Sequence, residues 1–336
     1  FMVENTSYMF ITGPDVVRTV TGEEVTVDEL GGARSHATRS GVATFTAPND
    51  RACLAEVRRL LSFLPANCTE SPPVGASFPQ DKTEPGHPVD PGVFLPASSN
   101  DPYDVVHVIC AIADDGDFLQ YCPLWATNLV CGFARLNGQP IGIVANQPKE
   151  LAGVLDIDSS EKGARFVRTC DVFNIPLLAL VDAPGFLPGT DQEHGGIIRR
   201  GAKLLYAFCE ATVPRIQVIM RKAYGGAYVV MNSKAVGADL AYAWPSAEVA
   251  VMSPDAAVEV LYHRELDEAE DRGRLSAELV AEYADSLANP WVAAERGYVD
   301  DVIESAATRA TLIEALALLG TARPELPRRK HANVPL

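Results

Sequence analysis

Several features common in other protein classes are scarce or missing from this 336-residue chain, and each absence excludes a kind of function. No apolar run reaches the roughly 18 residues of a membrane span, so a membrane protein is not expected. Basic residues are outnumbered: 28 Lys and Arg against 44 Asp and Glu leave a net charge of -16, which argues against nucleic acid or an anionic membrane as partner. Any phosphate-bearing ligand would need a local basic patch. The seven cysteines contain no Cys-x-x-Cys pair and lie in no His-rich neighbourhood, so neither a zinc site nor a disulfide framework is expected. Thiols used in this way suit a reducing, cytoplasmic setting. No Ser-His-Asp set, carboxylate pair or metal-ligand cluster stands out. Nothing near Phe1 resembles a signal or transit segment, and the missing initiator Met leads to the expectation that the chain begins inside a longer protein.

What is present reads as α/β. With 47% hydrophobic residues the chain can bury a large core, in one large or two ordinary domains. From Val105 to about Leu319, short apolar runs at Gly142-Ala145, Leu177-Val181, Ile216-Ile219 and Val249-Met252 alternate with amphipathic stretches such as Lys162-Phe173 and Gly201-Ala211. That alternation predicts buried strands separated by helices. Residues 66–102 are rich in Pro, Ser, Asn and Gly and predict an extended linker laid over a surface.

The two ends of the chain resemble each other. Tyr8-Met9-Phe10-Ile11-Thr12-Gly13-Pro14-Asp15-Val16-Val17 matches Glu248-Val249-Ala250-Val251-Met252-Ser253-Pro254-Asp255-Ala256-Ala257, with a strand expected at Tyr8-Ile11. Ser40-Gly41-Val42 before a helix ending at Leu60-Leu61 parallels Arg296-Gly297-Tyr298 before Thr308-Leu319. The charged stretch Arg264-Glu278 has no counterpart and reads as a surface insertion. Two homologous domains are implied: 1–65 the C-terminal part of a first domain, 66–102 a Pro-rich linker, 103–325 a complete second domain, and 326–336 a tail. The first domain is expected to lack everything upstream of Phe1.

The most telling stretch is Val213-Tyr228, where a buried-type strand runs into Gly225-Gly226 and then into a helix. Such a turn aims free N–H groups at a ligand oxygen, and glycine allows the oxygen to come close. A tight turn without chemistry is the competing reading.

The string Val181-Asp182-Ala183-Pro184-Gly185-Phe186-Leu187-Pro188-Gly189-Thr190-Asp191-Gln192-Glu193, then Ile197 to Tyr206, then Lys222 to Tyr228, resembles the carboxyltransferase β subunit of biotin-dependent acyl-CoA carboxylases of the propionyl-CoA type. The ending Arg329-Leu336 is similar as well. The resemblance implies crotonase-type (ClpP/crotonase) β-β-α superhelices and a hexamer built as a trimer of dimers. It further implies a biotin carboxylase/biotin carrier α subunit that holds carboxybiotin and alone uses ATP, with acyl-CoA as substrate. On this reading the amides of Gly226 and Ala227 bind the biotin ureido oxygen and biotin itself acts as the base. Gly185, Phe186, Leu187, Tyr224 and Gly225 would form the biotin pocket. Val229, where relatives carry Asp, would floor the acyl pocket, and Asn146-Gln147-Pro148 is either pocket lining or a turn. Asp182, Asp191 and Glu193 are either acids or, in the better-supported reading, hydrogen-bonding and capping groups, and His194 is expected to be exposed. Arg199, Arg200 and Lys203 read equally as anion contacts or helix salt bridges. Thr127 stands where relatives carry Lys or Arg. A decarboxylase or transcarboxylase component and a non-catalytic assembly subunit are the alternatives.

Overall fold

A computed structural model describes residues 1–75, 89–320 and 333–335. Its strands, in order, are β1 (Met2–Val3), β2 (Thr46–Ala47), β3 (Phe118–Tyr121), β4 (Leu129–Leu136), β5 (Gln139–Asn146), β6 (Leu177–Ala183), β7 (Arg215–Tyr224), β8 (Leu240–Ala243), β9 (Glu248–Ala250) and β10 (Asp301–Val302). β1 and β2 pair with each other, and the other eight form one sheet in the order β10-β8-β7-β6-β5-β4-β3, with β9 beside the end of β7.

Turn chemistry sets the first half of that sheet. β4 and β5 are joined by Asn137-Gly138, both at positive φ, the two-residue hairpin whose twist matches its strands. The Asp114 carboxylate accepts from both turn amides, at 2.9 and 2.7 Å, and pairs with Arg309. From β5 onward the pairings to β6, β7 and β8 are parallel, which requires crossover helices. Ile157–Val172 and Ile197–Glu210 supply two of them. All seven residues of β6 are buried because both faces are covered. Leu177, Ala179 and Val181 join the core beneath the crossover helices; Leu178 and Leu180 join the opposite core with Ile109, Ile112 and Leu316.

The internal repeat is visible in the strand pairing. Met2 and Val3 pair in parallel with Thr46 and Ala47, and Tyr242 and Ala243 pair in the same way with Asp301 and Val302. Pro14–Thr21 and Pro254–Leu261 both begin on proline, and Gly41 and Gly297 both adopt left-handed φ, 65° and 76°. Asp50–Leu61 corresponds to Thr308–Leu319. The charged stretch of copy two falls in the helices His263–Glu268 and Arg272–Ser286, the latter with no buried residue.

Two expectations need correction. Tyr8-Ile11 is not a strand: it makes one isolated bridge, Tyr8 to Gly32, and Ile11 is fully exposed. Its counterpart Glu248–Ala250 is a strand because Lys222, Ala223 and Tyr224 at the end of β7 lie beside it; no described strand lies beside Tyr8-Ile11. The linker also contains one ordered turn, a 3-10 segment Pro91–Phe94, where proline presets φ and the Asp90 carboxylate accepts from Gly92 N–H at 2.9 Å. Its described flanks otherwise run over the surface: Gly75 N–H donates to Gly138 O, and the Asn174 amide donates to the carbonyls of Cys68 and Glu70. The tail 326–336 lies outside the described residues except for 333–335.

Candidate functional site

The largely buried β7 ends at Tyr224, and the helix Gly225–Val230 begins at the next residue. The two glycines have different reasons to be there. Gly225 has φ 55°, and a Cβ on it would stand 2.8 Å from the Val251 carbonyl oxygen, so the turn itself requires glycine. A Cβ on Gly226 would meet only the Phe186 ring, at 3.9 Å. Gly225, Gly226 and Ala227 carry first-turn amides with no partner inside the helix, because the residues four back belong to the extended β7, and no side chain caps this helix. Those amides, with the positive end of the backbone dipoles, open on a cleft of about 820 Å³.

The opposite wall is Pro184-Gly185-Phe186, where the chain leaves β6. Leu155 clamps it: Leu155 N–H donates to Gly185 O at 3.0 Å, and Leu187 N–H donates to Leu155 O at 2.7 Å. Phe186 is half-buried, with its ring against Gly201, where a Cβ would come within 3.2 Å. The cleft therefore sits at the carboxyl ends of the parallel strands β6 and β7, the place where such sheets bind ligands.

Beneath it lies a buried polar network. Asp182 Oδ2 accepts from Arg221 Nε at 2.8 Å and from Tyr103 Oη at 3.0 Å, and Oδ1 accepts from Lys222 N–H at 3.2 Å, where the β6–β7 register shifts. Burial pushes the Asp182 carboxyl up from its ordinary value and the Arg221 guanidinium opposes the shift. Burial also raises the Tyr103 hydroxyl, reinforced by the Asp182 charge. Arg221 goes on to donate to the carbonyls of Ser98 and Asp101, tying the end of the linker to the cleft. Tyr224 Oη donates to Glu248 on the neighbouring β9; burial, then that bond, pushes the phenol well up. These groups hold strand ends in register, and none is arranged as an acid–base pair.

Of the residues singled out from sequence, Gly185, Phe186, Tyr224, Gly225, Gly226 and Ala227 come together as lining of the one cleft. Leu187 anchors the wall through its backbone without lining it. Asn146 and Gln147 do not line it: both are buried, with Asn146 bonded to Gly153 O and Asp182 N–H, and Gln147 to Val105 N–H and Asp104. Their amides brace β5 and the helix Val105–Ile112. Val229 is half-buried on the same short helix but is not a lining residue. Asp191, Glu193, His194 and Thr127 are exposed. Arg200 and Lys203 both bond to Glu161 at 2.7 Å, the salt-bridge reading of that helix. Lys222, Glu248, Asn100, Asp255 and Asn289, none of them marked as a site residue by the sequence, also line the cleft. Glu248 had one available signal, its place at the head of the repeated segment. Among the described residues no three His, Cys, Asp or Glu side chains converge to hold a metal, and no helix is long and apolar enough to cross a membrane.

Residues 1–334 match the carboxyl transferase domain family. The chain is 55% identical over 348 residues to a propionyl-CoA carboxylase beta chain of Saccharopolyspora erythraea, covering all of this chain and 63% of that one. It is 50% identical over 343 residues to a methylmalonyl-CoA decarboxylase subunit alpha of Propionigenium modestum, covering 64% of it. Among solved structures, the transcarboxylase 12S hexamer with methylmalonyl-coenzyme A bound superposes with TM-score 0.93 at 48% identity, over all of this chain and 64% of that one. The fold is thus the crotonase-type α/β superhelix that the resemblance implied, and the chain spans a little under two thirds of the length of these relatives.

Proposed function

Since this chain belongs to the carboxyl transferase domain family, we propose that it is the carboxyltransferase component of a biotin-dependent acyl-CoA carboxylase, moving a carboxyl group from carboxybiotin to the α-carbon of an acyl-CoA. What supports this reading is the uncapped helix start at Gly226 and Ala227, which lines the same cleft as Phe186. The residues present suit a planar, neutral urea. The donors are backbone N–H groups, the facing wall is aromatic, and the space a Cβ at Gly226 would fill is left clear for a close oxygen. When bound, biotin supplies the carboxyl group and the base for the acyl α-proton, which fits a site without an acid–base pair of its own.

The work left to this chain is positioning and charge stabilisation. Gly226 and Ala227 hold an oxygen as it gains negative charge, an interaction whose loss typically costs about 2.7–4 kcal/mol of barrier. Phe186 and Pro184 exclude water from that oxygen, which strengthens the hydrogen bonds. The Asp182–Arg221 pair and the Tyr224–Glu248 bond fix β6, β7 and β9, so the amides need not reorganise during the reaction. Residues 1–65, 66–102 and 103–325 are proposed as first-domain segment, linker and second domain. A biotin-bearing carboxylase subunit and a hexameric assembly are proposed as partners of the whole protein, the latter because the transcarboxylase 12S core is a hexamer.

The test is to supply the full-length protein with carboxybiotin and propionyl-CoA and to follow the carboxylated CoA product. Consumption of carboxybiotin that is indifferent to acyl-CoA would refute the proposal. The likeness to a decarboxylase subunit supports a second reading, removal of the carboxyl group from a carboxyacyl-CoA. The partner that co-purifies separates the two: an ATP-using biotin carboxylase for the first, a partner without one for the second.

A further inference from the structure

On the function proposed above, the cleft meets its cofactor in two states, an anionic carboxylated form and a neutral form, and the amides of Gly226 and Ala227 address a ureido oxygen present in both. We infer that Lys222 reads the difference, binding the carboxylate of the incoming carboxybiotin and letting go when it becomes neutral. Five lysines fall among the described residues. Lys149, Lys203 and Lys234 are ion-paired with Asp104, Glu161 and Asp300 at 3.4, 2.7 and 3.0 Å. Lys162, 1% exposed, is sealed against the carbonyls of Trp125 and Ala126. Lys222 differs from all four. Its Nζ donates to the neutral amide oxygen of Asn100 at 2.9 Å, it makes no ion pair among the described residues, and it lines the cleft as the one cation there.

Strand alternation explains its position. Lys222 and Tyr224 are two residues apart on β7 and share a face, four and two residues before Gly226. Burial pushes the ammonium down, while the Asp182, Glu248 and Asp255 carboxylates, the last two also in the cleft, favour its charged form against the added repulsion of Arg221. In a chain of net charge -16, with Glu248 and Asp255 lining the site, an anionic ligand is repelled unless a cation meets it. Asn100 is a suitable temporary partner, because its amide oxygen is neutral, whereas a carboxylate adds the attraction of a full opposite charge to the same hydrogen bond. The neutral product offers no such bond, and Lys222 returns to Asn100.

The experiment uses the full-length assembled protein with carboxybiotin methyl ester as donor and biotin methyl ester, which carries no charge, as competing inhibitor. Lys222→Met is expected to raise KM for the carboxybiotin ester at least tenfold, about 1.4 kcal/mol, while the inhibition constant of the neutral biotin ester and KM for acyl-CoA stay within about twofold. Lys222→Arg should recover most of the loss. Should Lys222→Met fail to assemble, Lys222→Gln, polar but uncharged, carries the same test. An equal loss for the two esters, an unchanged KM for the carboxybiotin ester, or no recovery with arginine overturns the inference while transfer by the unmodified protein leaves the proposed function standing. Absence of transfer in the unmodified protein removes both.

Discussion

The two adjacent glycines of the cleft should respond in opposite ways to the same substitution. In Gly225→Ala the new methyl group is forced into left-handed backbone, at φ 55°, and placed 2.8 Å from Val251 O, a backbone atom that cannot rotate away. The conformational strain costs about 1–2 kcal/mol and relief of the contact about 1–3 kcal/mol more, so a loss of roughly 2–5 kcal/mol is expected. In Gly226→Ala the methyl group meets only the Phe186 ring at 3.9 Å, ordinary contact, and alanine is the better helix former by up to about 1 kcal/mol. Stability should hold or rise slightly. Function should reverse the order of harm, because the methyl group of Gly226→Ala occupies the space between Phe186 and the open amides. A donor displaced from its oxygen is worth about 2.7–4 kcal/mol, or a fall in kcat of roughly 100- to 1000-fold. Urea unfolding of both variants, beside carboxyl transfer from carboxybiotin, gives the comparison. If Gly226→Ala unfolds as early as Gly225→Ala, the clear space is structural; if it transfers normally, the amides are not the site.

Asp182→Asn leaves Arg221, whose side chain is 5% exposed, buried without its counter-charge, and should destabilise the protein by about 3–5 kcal/mol, whereas His194→Ala on the exposed helix should change unfolding by less than about 0.5 kcal/mol. Val229→Asp tests the proposed acyl contact: if Val229 faces the acyl chain, kcat/KM for butyryl- over propionyl-CoA should fall by about 10-fold or more, and unchanged ratios would show that it does not. Burial pushes the Tyr121 phenol up to about 12 from 10.0, so its contribution to stability is complete below pH 10 and is lost as pH rises through about 12. That contribution amounts to about 2–3 kcal/mol, and Tyr121→Phe should remove this part of the alkaline fall in urea midpoint; an identical pH profile in the variant would count against the assignment.

The features legible in the sequence are those whose physics is local. Asn137-Gly138 specifies its hairpin because two consecutive positive φ values suit those residues, and Leu177-Val181 specifies a doubly covered strand because its apolar run allows neither face to meet water. Gly225-Gly226 after an apolar strand announces an open helix start, and repetition exposes the paired segments at the two ends of the chain. The six residues singled out from the sequence that line the cleft all belong to two such continuous stretches, 185–186 and 224–227. The rest of the site depends on partners far apart in the chain. Asn100 and Lys222 meet only because Arg221 draws the end of the linker onto β7, and Glu248 meets Tyr224 only because β9 takes its register from Lys222. Asn146 and Gln147 follow a strand as pocket residues do, but the packing of the helix Val105–Ile112 claims their amides first. Tyr8-Ile11 and Glu248–Ala250 share a pattern, yet only the second is a strand, because strand formation is completed by a neighbour's hydrogen bonds and not by the segment's own residues.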